Sequence, residues 1–220
     1  MRRHPSDGQH RFTCLRCRLA VTLWGIVFVA LAAAIPFHPE LAFCAEKGCA
    51  EKGCAEKGCN EKTVISEGVR NDIGLLIHDV KSVYQSAATQ IKLLLPDELD
   101  PNEQYRVLFV LPVEEGNGVR WGDGLSEIRK HDLHNRHNLI CVTPTFSDLP
   151  WYADHASSST IRQESFLLKD VVPFIDRTYP TIAKPSGRLL VGFSKSGWGA
   201  FSLVLRNPDV FGKAAAWDAP

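Results

Sequence analysis

The stretch Gly192-Phe193-Ser194-Lys195-Ser196 sets a serine between small residues, with Gly197 immediately after. It matches Gly-x-Ser-x-Gly, the elbow on which a serine nucleophile stands, with serine in place of the last glycine. Small flanks matter because such an elbow is a strained strand-to-helix turn in which the helix starts close against the strand. Ser196 is small enough to keep those sterics. The Ser194 hydroxyl would then stand clear of a sheet. The Lys195 amide, at a helix N-terminus, would point toward negative charge developing on an attacked carbonyl oxygen. That chemistry is nucleophilic attack by a serine hydroxyl. The same small residues also suit an ordinary tight turn, so the surrounding elements must decide.

Those elements favour the nucleophile. Arg188-Leu189-Leu190-Val191 reads as an apolar strand running straight into the elbow. A helix beginning Gly197-Trp198-Gly199-Ala200 and ending at Asn207-Pro208 follows, then a strand at Ala214-Ala215-Ala216-Trp217. Upstream, Ile91, Leu93, Leu94 and Leu95 end at Pro96, and a polar turn from 97 to 104 leads into Val107-Leu108-Phe109-Val110-Leu111. The two runs read as neighbouring strands. The second is apolar at every position, as is Leu139-Ile140-Cys141-Val142, which predicts strands covered on both faces. Between Thr160 and Tyr179 the period changes: Leu167, Val171, Phe174 and Leu168, Val172, Ile175 recur three or four apart, predicting an amphipathic helix. Thr160 and Gln163 can form a capping box at its start, and Pro180 stops it. Residues 63 to 88 do not choose between strand and helix. Strand, helix, strand, helix, strand is the pattern of an α/β layered sheet, expected to be mostly parallel over 90 to 218.

From about Gln90 to Pro220 the chain resembles the esterase branch of the α/β-hydrolases, which includes feruloyl-esterase-like enzymes, esterase D relatives and mycolyl transferases. Local patterns around the elbow carry the likeness. Trp151-Tyr152-Ala153-Asp154 is followed by Glu164-Ser165-Phe166-Leu167 and Val172-Pro173-Phe174-Ile175-Asp176, and after the elbow comes Arg206-Asn207-Pro208-Asp209-Val210-Phe211-Gly212. The resemblance implies hydrolysis or transfer of a carboxylic ester with Ser194 as nucleophile, without a cofactor or a metal. It implies oxyanion donation from the Lys195 amide and from the amide of Glu114, in the loop where many relatives carry His-Gly and this chain has Pro112-Val113-Glu114-Glu115-Gly116. A carboxylate at Glu114 would oppose an oxyanion unless it turns away. Trp151 and His155 are expected to line the cleft, and Asp218 is a candidate acid. The family's triad runs serine, acid, histidine along the chain. Residues 195 to 220 contain no histidine, so the expectation is a partial α/β-hydrolase fold lacking its C-terminal strands, with feeble turnover.

His131, His134 and His137 spread over about 120° if helical, too wide for an easy three-ligand face. Residues 129 to 138 read instead as a solvated polar segment. With 25 basic and 25 acidic side chains the formal net charge is zero, which argues against nucleic acid as a partner.

The N-terminus has its own logic. Arg2, Arg3, Arg11, Arg16 and Arg18 precede an uncharged run from Leu19 to Ile35, the order of a secretory leader. As a helix that run spans about 25 Å, short for a hydrocarbon core of about 30 Å, so cleavage after residues 1–45 is favoured over anchoring. Cys44, Cys49, Cys54 and Cys59 recur every fifth residue in repeated Cys-Ala-Glu-Lys-Gly, so 46–62 reads as a low-complexity tether and 63–220 as the N-terminal part of an α/β-hydrolase domain. The protein expected is secreted or periplasmic, meets a membrane only if the leader is uncleaved, and acts on a small-molecule or polysaccharide-linked ester. An acyltransferase, and a non-catalytic secreted protein whose cysteines bind metal or cross-link, remain the alternatives.

Overall fold

The computed structural model describes residues 62–219. The leader and nearly all of the cysteine repeat lie outside them. The described chain builds one mixed sheet in the order β1-β3-β4-β6-β5-β7-β8, with β2 paired to β3. Its strands are β1 (Val64–Ile65), β2 (Val69–Arg70), β3 (Leu76–Lys81), β4 (Thr89–Leu94), β5 (Arg106–Val110), β6 (Leu139–Pro144), β7 (Arg188–Phe193) and β8 (Lys213–Trp217). The pairs β5–β6, β5–β7 and β7–β8 are parallel, whereas β3–β4, β4–β6 and the two edge pairings onto β3 are antiparallel. The half that holds the elbow is therefore parallel, and the sheet as a whole is mixed.

Two expectations are corrected. β4 and β5 are not neighbours, because β6 inserts between them; a strand's register partner is chosen by packing far along the chain, which local pattern does not encode. Residues 63 to 81 form three antiparallel strands rather than nothing assignable. Their outer faces are solvated, so apolar residues are too sparse to show a period.

The sheet is covered on both faces. Along β5, Val107 and Phe109 enter one core with Ile91, Leu93, Ile140, Val142 and Leu190, while Leu108 and Val110 face a second with Leu94 and Cys141. This alternation is the pleat seen edge-on: successive side chains point to opposite faces. The first core is closed by the long helical segment 163–178 and by α5 (Lys195–Arg206), through Phe166, Leu167, Val171, Ile175, Ala200 and Leu203. The second is closed by α1 (Gly124–Lys130) through Leu125 and Ile128, with Leu133 of α2 (Leu133–Arg136).

The segment 163–178 is helical throughout but not uniformly so. α3 (Gln163–Phe166) passes through a π turn at Leu167–Val171 into α4 (Val172–Thr178). Pro173 has no N–H to give the preceding turn, and a widened turn next to it is the local response. The helix ends before Tyr179, which is extended ahead of Pro180, as expected. The capping box is absent: Arg162 takes the N-cap position with no side-chain cap, and Gln163 turns its amide elsewhere. Among the described residues no helix is long and apolar enough to cross a membrane.

Candidate active site

Ser194 stands alone between the last residue of β7 and the first of α5, with φ 52° and ψ −125°. An L-residue rarely adopts that backbone, and it persists only where the surroundings over-determine it. Here they do. The Ser194 N–H donates to Trp217 O on β8 at 3.1 Å, and the Ser194 carbonyl accepts from Gly197 N at 2.9 Å and Trp198 N at 3.1 Å. Ser196 supplies a third clamp. Its hydroxyl accepts from Phe193 N and donates to Phe193 O, both at 2.9 Å. The serine in place of glycine therefore braces the turn as well as fitting it, a role that size alone did not reveal. Gly192 is needed for close approach, since a Cβ there would lie 2.1 Å from Ser196 O. The helix starts at Lys195, two residues earlier than the glycines implied, so the Lys195 amide is the first of α5 and carries no intrahelical partner by geometry.

Three of the patterns that carried the family likeness meet beside α5, the helix that follows this turn. Tyr152 is fully buried with φ 57°. Its hydroxyl donates to Pro112 O in the loop after β5, and its ring packs where Gly199 of α5 leaves room, a Cβ there falling 2.2 Å from Tyr152 Cδ2. Gln163 Oε1 accepts from Trp151 N at 2.7 Å and Tyr152 N at 3.1 Å, while its Nε2 donates to Leu149 O at 2.9 Å. Arg206 bridges Glu164 and donates to Tyr152 O at 2.6 Å, and Asn207 donates to Glu164 at 2.6 Å. Asp154 accepts from Ser165 N and Oγ and from Arg162. Burial opposes its charge, but the hydrogen bonds from Ser165 and Arg162 outweigh that and lower its pKa. Motifs separated by up to 54 residues thus form one brace joining the 150s loop, α3, α5 and the loop after β5. Tyr152 and Gln163 are its pivots, and neither stood out as functional from type or spacing.

The remaining candidates fall as follows. Glu114 lies in the loop after β5, and its carboxylate accepts from Trp121 Nε1 at 3.1 Å. Trp151 is exposed, with the Lys195 ammonium 5.2 Å from its ring centroid. His155 is exposed, and its Nδ1 accepts from Ser157 N and Ser158 N, so that nitrogen is occupied in a turn. Asp218 is exposed at φ 51° just past β8, next to the Trp217 carbonyl that holds Ser194. Among the described residues no histidine hydrogen-bonds Ser194.

The segment 129–138 is not uniformly solvated. His131 and His137 are exposed, but His134 is buried, with Nε2 4.0 Å from Asp97 and Nδ1 without a partner among the described residues. The single turn of α2 packs on β6 and turns residue 134 inward. Cys141 is a free thiol buried in the second core, where burial pushes its pKa up to about 12.

Comparison with known proteins agrees with this architecture. Residues 146–219 match the family described as "Putative esterase". Two esterases of Mycobacterium tuberculosis, from strains CDC 1551 / Oshkosh and ATCC 25618 / H37Rv, are each 29% identical over 137 residues, 59% of this chain. The match spans 29% of their own length. An S-formylglutathione hydrolase from Agrobacterium tumefaciens superposes with a TM-score of 0.54 at 14% identity, over 70% of this chain and 61% of that one. The fluorophosphonate-binding serine hydrolase F of Staphylococcus aureus gives 0.51 at 18% identity, over 69% and 58%. At such identities the superpositions establish fold alone. The described chain thus shares the α/β fold of these hydrolases, and its residues 146–219 match the esterase family model.

Proposed function

We propose that the protein is a serine hydrolase of carboxylic esters, secreted or periplasmic, in which Ser194 is acylated. The supporting observation is Ser194 itself: a non-glycine residue held at φ 52° between an interior parallel strand and the first turn of a helix. Strain of this kind is kept where a side chain must be presented at one place. In the step proposed, Ser194 Oγ bonds to the ester carbonyl carbon as its proton passes to a base, and the carbonyl oxygen becomes an oxyanion. The Lys195 amide, at the positive end of α5, and the Glu114 amide donate to that oxyanion. Trp121 engages the Glu114 carboxylate, which ties up the charge that would oppose an oxyanion. Collapse breaks the bond to the alcohol, and water then releases the acid. Trp151 and His155 flank the entry, and Asp218 is the candidate acid.

Base assistance is worth on the order of a hundred- to ten-thousand-fold. With no histidine hydrogen-bonded to Ser194 among the described residues, the 220-residue chain is proposed to turn over feebly. The substrate proposed is a small-molecule or polysaccharide-linked ester. The Arg-rich start and apolar run support export, with a membrane role only if that segment stays attached. The test is covalent: a fluorophosphonate probe, the reagent class bound by the Staphylococcus hydrolase, is incubated with the 220-residue chain and mapped by peptide mass. Modification at Ser194, absent from Ser194→Ala, is expected. Equal modification of the alanine variant would overturn the assignment. Adding an alcohol acceptor during aryl-ester turnover separates hydrolase from transferase by product.

A further inference from the structure

On the sheet face away from α5 lies a cavity of about 570 Å³ beneath the loop that follows β5. Leu108, Val110, Val191, Phe193 and Trp217 give it an apolar wall. Into this wall reaches one lysine. Lys92 sits in β4 between two strand partners, 9% exposed, and lines the cavity. Its register partner across β4–β6 is Thr143, so the two side chains share a face.

Both are short of partners. Lys92 Nζ donates to Asn117 O at 2.9 Å, and an ammonium carries three donors. Thr143 Oγ1 is buried without a hydrogen-bond partner among the described residues. A buried cation and a buried hydroxyl side by side, each with donors unspent, are costly unless something accepts from them. The two acids that line the cavity are occupied elsewhere. Asp123 accepts from Leu125 N and Ser126 N as the cap of α1, and Glu127 lies 3.2 Å from Lys130 Nζ and 3.7 Å from His131. No pattern in the sequence marked Lys92, which lies inside a run read as apolar.

We infer that this cavity binds a monocarboxylate with an apolar body. One carboxylate oxygen accepts from Lys92 and the other from Thr143, while the tail lies along Leu108, Val110 and Val191. One cation and one hydroxyl match a single charge spread over two oxygens. A phosphate dianion would leave a charge unmatched in an apolar chamber that already holds Asp123 and Glu127. The inference does not rest on Ser194 as a nucleophile, because its readout is binding.

Octanoate is titrated calorimetrically into the 220-residue protein, and methyl octanoate into its Ser194→Ala variant so that turnover cannot generate the acid. Octanoate is expected to bind more tightly than the ester. Lys92→Met should weaken octanoate about ten- to a hundredfold, the loss of a charge-assisted hydrogen bond. Thr143→Val, which preserves shape, should weaken it several-fold. Melting midpoints report whether each variant folds, and the valine variant carries the test if the methionine one does not. Octanoate that fails to bind, or that binds a folded Lys92→Met or Thr143→Val protein as well as the wild type, overturns the inference. So does displacement of octanoate by an equal concentration of inorganic phosphate.

Discussion

Replacing Ser194 with glycine should make the protein more stable than replacing it with alanine, although both remove the hydroxyl. At φ 52° and ψ −125° a residue with a Cβ is strained, and such strain costs about 1–3 kcal/mol. Alanine keeps the Cβ and the strain. Glycine removes both but loses more backbone freedom on folding, about 0.5–1 kcal/mol relative to alanine. The difference leaves glycine ahead by about 1 kcal/mol. For a unit of this size that is a rise of about 2–4 °C in melting midpoint. Among the described residues the Ser194 side chain makes no hydrogen bond, so Ser194→Ala should melt within about 0.5 kcal/mol of the wild type. The backbone bonds to Trp217, Gly197 and Trp198 involve only main-chain atoms and survive both changes. Guanidinium titrations with matched m-values give the free energies. If the glycine variant proves no more stable than the alanine one, the elbow is not strained, and its placement of the serine needs another explanation.

Other consequences are checked as readily. Removing the Tyr152 hydroxyl with Tyr152→Phe leaves the Pro112 carbonyl without that donor and should cost about 1–3 kcal/mol by chemical denaturation; a neutral result would show that the brace carries no energy. Asp154 has a lowered pKa, so its contribution is present above its unfolded value and fades as pH falls through its folded one. Asp154→Asn should therefore be less stable at pH 7 and show a flatter loss toward acid than the wild type, and parallel pH–stability curves would contradict this. Cys141, with its thiol pushed up to about 12, should resist iodoacetamide at pH 8 in the folded protein and react once denatured, as read by peptide mapping; rapid native alkylation would show that the second core opens.

Much of the elbow was written locally. The apolar run of β7, the small residues at 192, 196 and 197, and the 3.6-residue period of the following helix each depend on neighbours a few positions away. A linear reading therefore located Ser194 between strand and helix and predicted the helix over the 160s and 170s. What a linear reading could not supply was anything decided by partners distant in the chain. Whether β4 lies beside β5 or β6 depends on which faces must be buried together, and Lys92 and Thr143 meet only because β6 was chosen. Gln163 looked like half of a capping box because its spacing from Thr160 allowed one. In the folded protein its amide pairs with four backbone groups of the 148–152 loop. His134 looked solvated beside polar neighbours until the turn of α2 aimed it inward. The strand β7, the helix after it and the setting of Ser194 between them followed from the order of residues. The strand order, the brace around Tyr152 and the lysine-bearing cavity came only from tertiary structure, because burying both faces of one sheet forces residues far apart in the chain to satisfy one another.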